Sequence, residues 1–68
     1  MDQFVIIHSH PDKEPVQLSF HNTLDDAREE AERWWKKNGA GQDEGEVLTI
    51  FRMPGPASAV GVYRGFWV

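Results

Sequence analysis

The chain has 68 residues, no cysteine, and a formal net charge of -4 from 7 basic and 11 acidic side chains. That length holds one domain with one small core and leaves no room for a separate substrate domain. Without cysteine there is no disulfide framework, thiolate zinc site or cysteine nucleophile. A hydrophobic share of 40% is too high for a disordered chain. No apolar run approaches the roughly 20 residues that span a bilayer, and Met1-Asp2-Gln3 lacks the basic start of a signal peptide. The expectation is a small, acidic, soluble cytoplasmic domain spanning residues 1–68.

Phe4 to Ser9 is a β-branched and aromatic run that reads as a strand. His10 to Pro15 reads as a turn, because two prolines and an aspartate interrupt a ladder. Val16 to His21 then alternates apolar and polar residues, the pattern of a strand with one buried face. Pairing Ser9 with Val16 sets Ile7 against Leu18 and Val5 against Phe20 on one face, which is expected to turn inward. The other face then carries Phe4, Ile6, His8 and their partners His21, Ser19 and Gln17.

A helix follows. Thr23 is a suitable N-cap with Asp26 three residues on, and Leu24, Ala27, Ala31, Trp34 and Trp35 form one apolar stripe. Trp35 lies near the stripe's centre and Trp34 on its flank. Asp25, Asp26, Glu29 and Glu30 crowd the early turns and Arg33, Lys36 and Lys37 the late ones, as the helix dipole favours. Asn38-Gly39 supplies a stop.

After a Gly-rich loop from Gly39 to Gly45, Val47 to Arg52 reads as a third strand, Met53 to Ser58 as a turn, and Ala59 to Val68 as a fourth strand. Gly61 or Gly65 marks a bulge or a close contact. The last hairpin has two candidate inward faces: Val47, Phe51, Val60, Val62 and Phe66, or Leu48, Ile50, Tyr63 and Trp67. The expected fold class is α+β, with the order β-β-α-β-β, a four-stranded antiparallel sheet and one helix packed on one face.

One helix covers one face of a sheet, so the second face is expected to be an apolar, aromatic interaction surface. Whichever face of the last hairpin turns inward, aromatic side chains remain on the other, Tyr63 with Trp67 or Phe51 with Phe66; the residues assigned to the surface are Phe4, Ile6, His8, Tyr63 and Trp67. The acidic helix residues Asp25, Asp26, Glu29 and Glu30 would steer the surface toward a basic partner.

No catalytic constellation stands out. Ser9, Ser19 and Ser58 are not on a nucleophile elbow, and Gly39-Ala40-Gly41 follows a helix instead of preceding one. The paired carboxylates of the helix read as cap and dipole charges. His8-Ser9-His10-Pro11 resembles the His-Ser-His-Pro core of the JAMM-type zinc isopeptidases. That resemblance would imply a zinc hydrolase using His8, His10 and His21. However, Leu18 and His21 stand where the family has serine and aspartate, and no glutamate precedes His8. The hairpin register also places His21 roughly 13 Å along the strand from His8. No metal, cofactor or catalytic residue is therefore expected.

The plan of a short strand pair, the Thr23-Leu24-Asp25-Asp26-Ala27 helix opening and a closing Pro/Gly hairpin resembles small accessory proteins of phages and mobile elements, among them anti-CRISPR proteins. The resemblance implies an inhibitor or modulator that is not an enzyme and binds a larger protein or ribonucleoprotein complex. A homodimer through the same face is compatible with the pattern, and no membrane partner is expected. The alternative is a sheet-face RNA- or DNA-binding module with Arg52 and Arg64 as a basic edge, against which the net negative charge weighs.

Overall fold

In the computed structural model, residues 2–54 and 58–68 are described. Strand β1 (Gln3–His10) runs into β2 (Lys13–His21), then helix α1 (Leu24–Lys37), β3 (Val47–Met53) and β4 (Ser58–Tyr63). The strands form one antiparallel sheet in the order β2-β1-β3-β4. The β-β-α-β-β plan with one helix on the sheet is therefore the fold of this chain. β1 and β3, whose Phe4-Val5-Ile6-Ile7 and Leu48-Thr49-Ile50-Phe51 segments are the most apolar, occupy the two central positions.

The core lies between sheet and helix. Ile6 of β1 and Leu48 and Ile50 of β3 are fully buried against Ala27, Ala31 and Trp35 of α1, with Phe4, Leu18, Tyr63 and Trp67 packed around them. The two alanines let the helix sit close to the sheet, and Trp35 makes an edge-on contact with Tyr63 at 5.4 Å between ring centroids. Of the two candidate faces of the last hairpin, the one bearing Leu48, Ile50, Tyr63 and Trp67 is turned inward.

The first hairpin is inverted relative to expectation. Val5 does pair with Phe20, Phe4 with His21 and Ile6 with Ser19, but Phe4 and Ile6 face the helix, not Val5 and Ile7. Ile7 pairs with Gln17 instead of Leu18, because the register shifts between Ile6 and Ile7. This bulge leaves Leu18 without an opposite residue and brings it against the helix-side core although Phe20 points away from it. The clean alternation of Val16, Leu18 and Phe20 thus belongs to a bent edge strand whose apolar residues divide between the two faces.

Boundaries moved for local reasons. Lys13, Glu14 and Pro15 lie within β2, leaving only Pro11-Asp12 as the turn. Proline is tolerated there because β2 is an edge strand. The helix opens as expected: Thr23 is extended (φ -131°, ψ 154°), and its hydroxyl oxygen accepts from the Asp26 N–H at 3.1 Å. Strand β4 ends at Tyr63 instead of Val68. Gly65, at φ +90°, lets the chain turn so that Trp67 bridges back to Tyr63 and the Val68 N–H donates to the Val62 carbonyl. Residues 55–57 of the expected Met53 to Ser58 turn lie outside the described residues.

Candidate functional site

The face of the sheet away from the helix is assembled from alternate residues of all four strands. Its central row runs across the sheet as Phe20, Val5, Phe51 and Ala59, each paired with the next. Val5 is only 1% exposed although it stands outside the helix-side core cluster, so the flanking phenylalanines screen it. Phe20 itself is 54% exposed. A second row runs Gln17, Ile7, Thr49 and Val62, and Gln3 pairs with Met53 at one end of the face and Ser9 with Val47 at the other.

None of these paired positions is charged. Lys13 and Arg52 fall on the helix side by register, opposite His10 and Phe4. Glu14 sits in the irregular stretch beside the first turn, and Asp2 lies at the rim, in a cleft of about 320 Å³ shared with Phe20, Asn22 and Met53. A chain in which 26% of residues are charged has thus kept the paired positions of one whole sheet face neutral. Its apolar side chains present a continuous patch with Phe20 protruding at one edge.

The residues assigned from sequence to this face lie elsewhere. Phe4, Ile6, His8, Tyr63 and Trp67 all stand on the helix side; Ile6 is fully buried, and Phe4, Tyr63 and Trp67 pack against the core. Phe4, Ile6 and His8 were placed by the alternation of β2, whose bulge reverses the meaning of its pattern, while Tyr63 and Trp67 belong to the face of the last hairpin that points inward. Trp67 has a structural task. Its Nε1–H donates to Glu32 at 2.6 Å, its ring meets Tyr63 at 4.7 Å, and the Arg28 guanidinium lies 4.7 Å from its centroid.

The acidic helix residues are partly neutralised where they stand. Arg33 donates to Glu30 at 2.7 Å and to Glu29 at 3.3 Å, while Asp25 and Asp26 occupy the first turn, where the dipole favours them. Arg52 and Arg64 do not form one basic edge. Arg52 pairs with Ser58 at one end of the last hairpin, while Arg64 follows Tyr63, which pairs with Leu48 at the other.

Two of the three histidines, His8 and His10, are drawn into a clasp with the 39–46 loop. His8, with its ring against Trp34 at 4.8 Å, donates through Nε2 to Glu46 at 2.7 Å. His10 accepts the Asp12 N–H on Nδ1 at 3.4 Å, which leaves Nε2 to donate to Asp43 at 2.8 Å. The second oxygen of Glu46 accepts the Gly41 N–H at 2.8 Å. That backbone bond, followed by the His8 bond and the nearby histidines, holds the Glu46 carboxyl below the usual glutamate range against the opposing effect of burial. The 39–46 loop is thereby tied to β1. His8 and His10 each meet one carboxylate, and among the described residues no three metal-binding side chains converge. His21 lies opposite Phe4, well away from His8, and its Nε2 is 2.8 Å from Ser19 Oγ in a hydrogen bond along the same strand.

Glu46 and Asp43 had no signal in the sequence, because their partners are more than thirty residues away. Val5, Phe20 and Phe51 were visible as apolar residues, and only their side of the sheet was hidden. No protein-family model, characterised protein or solved structure matches the chain.

Proposed function

We propose that the chain is a protein-binding domain without catalytic activity, and that it works through the charge-free face built on Phe20, Val5 and Phe51. The observation that carries this reading is a sheet face from which every paired charge is missing and on which Phe20 and Met53 stand exposed. Such a face gains free energy by being covered and loses nothing to unpaired buried charges when it is. It offers little to a nucleic-acid backbone, whose binding rests on lysine and arginine.

The finer reading is a phage-type inhibitor or modulator of a larger protein or ribonucleoprotein complex in the cytoplasm. The likeness in overall plan to small phage accessory proteins supports it. No helix among the described residues is long and apolar enough to cross a membrane. The test is capture of partners from lysate, with nuclease present, by the wild type and by Phe20→Glu. A stoichiometric protein recovered by the wild type and lost by the variant supports the reading. Equal recovery by both variants refutes the face, and recovery of nuclease-sensitive material alone refutes a protein partner.

A further inference from the structure

We infer that the partner fitting the charge-free face is a second copy of this chain, packed sheet on sheet about a two-fold axis parallel to the strands. The inference rests on the reading that this face binds protein, and it makes a second copy, in place of a larger complex, the occupant of the face. Three observations carry it.

The first is self-complementary shape. A two-fold axis parallel to the strands lays β2 of one copy over β4 of the other and β1 over β3. The row Phe20, Val5, Phe51, Ala59 then meets the same row reversed. Each large side chain faces a smaller one: Phe20, which stands 54% exposed at one edge, lies over Ala59 at the other, and Phe51 lies over Val5. An isologous interface needs this pairing of unlike residues across the axis, and interdigitated inner faces are how two sheets pack at about 10 Å.

The second is charge. The chain carries -4 overall, so two copies repel wherever their charged surfaces approach. The paired positions of this face are the part of the sheet where they can meet without placing like charges together, and a second copy brings a face equally free of charge.

The third is the state of the alternatives. Edge-to-edge pairing would need an open strand edge, and both edges are blunted. β2 carries Pro15 and two register irregularities. β4 carries one, and its end is covered by the returning Trp67-Val68 segment. What remains is the face. Four strands about 4.8 Å apart and some seven residues long at about 3.4 Å each give a projected area of roughly 450 Å² per copy. Two such faces come to roughly 900 Å², below the roughly 1,200 Å² at which standard stable interfaces begin and within the range of weak, reversible ones. The dimer is accordingly one that dissociates on dilution.

Sedimentation velocity from about 5 μM to about 1 mM tests the inference, since interfaces near this size dissociate in that range. The wild type is expected to approach twice the 7.8 kDa chain mass at the upper end. Phe20→Glu and Ala59→Lys are each expected to remain at the chain mass throughout, with unchanged circular dichroism. An equimolar mixture of the two is expected to regain the dimer, because the axis sets one introduced carboxylate against one introduced ammonium. A wild type that stays monomeric at the highest concentration overturns the inference. So does a dimer that Phe20→Glu leaves intact, or a mixture that fails to reassociate while the wild type dimerises. A monomeric wild type whose capture of a different protein is abolished by Phe20→Glu overturns self-association and leaves the binding function standing. If that capture is also indifferent to Phe20→Glu, both readings fall.

Discussion

Replacing Trp67 with alanine should cost about 2–3 kcal/mol, a large part of the roughly 3–10 kcal/mol that holds a domain of 68 residues together. Trp67 is partly buried against the core, so a figure below the 3–5 kcal/mol seen for fully buried aromatic truncations is the starting point, roughly 2 kcal/mol. Its ring contact with Tyr63 and the Arg28 guanidinium over its face add about 0.5–1 kcal/mol together at this exposure. The Nε1–H bond to Glu32 contributes little beyond that, because the freed carboxylate returns to water. At about 2.1 cal/mol/K per residue, a 68-residue chain unfolds with roughly 0.14 kcal/mol/K, so the expected fall in Tm is roughly 14–20 °C. Urea unfolding followed by circular dichroism, at low micromolar protein so that association does not contribute, reads the loss as a lower midpoint at unchanged slope. Trp67→Phe keeps most of the ring contact and should lose about 1 kcal/mol. Phe66→Ala, next in the chain but 60% exposed, should stay within about 0.5 kcal/mol. A loss below about 1 kcal/mol for Trp67→Ala, or equal losses for Trp67→Ala and Phe66→Ala, would refute the view that the returning C-terminal segment locks helix to sheet.

Thr23→Ala should destabilise by about 1 kcal/mol in the same assay, with Thr23→Ser restoring nearly all of it, because only the hydroxyl that accepts the Asp26 N–H matters. Gly41 and Gly39 both have positive φ, +95° and +60°, but a Cβ at Gly41 would lie 2.8 Å from Trp35 Cζ2 while one at Gly39 would meet nothing within 4 Å. Gly41→Ala should therefore cost roughly 2 kcal/mol or more and Gly39→Ala about 1 kcal/mol; equal costs would show that Trp35 yields freely. The Glu46 carboxyl titrates lower in the folded chain than unfolded, chiefly through the Gly41 N–H and then through His8. Its contribution is complete above the ordinary glutamate value of about 4.3 and is lost as pH falls through the lower folded value. Glu46→Gln should flatten the acid limb of a stability-against-pH curve, and identical limbs for the two proteins would sink the account.

The parts of the fold that could be read from sequence are those set by local chemistry. Thr23, the alanine and tryptophan stripe and Asn38-Gly39 define the helix within a residue of its observed ends, because caps and a 3.6-residue period act over a few positions. The strands were placed for the same reason, and the order β-β-α-β-β left few ways to assemble them. The side of the sheet that each residue faces is different in kind. It depends on register, and a bulge at Leu18 changes register without leaving a mark such as glycine at the site. The loop clasp is harder still, since His8 with Glu46 and His10 with Asp43 meet only after the helix has crossed the sheet.

The central strand nevertheless held the information that the edge strand concealed. Phe4, Val5, Ile6 and Ile7 are apolar without interruption, so over these four residues β1 carries apolar side chains on both faces. A strand with one wet face alternates; a continuous run is the pattern of a strand covered on both sides. Helix α1 covers Phe4 and Ile6. On the other face Phe20 and Phe51 already bury Val5, while Ile7 stays partly exposed. What the proposed partner would cover on that face is the exposed Phe20 and the partly exposed Ile7 and Phe51. The proposed binding function therefore turns on the state of association, which sedimentation reads directly.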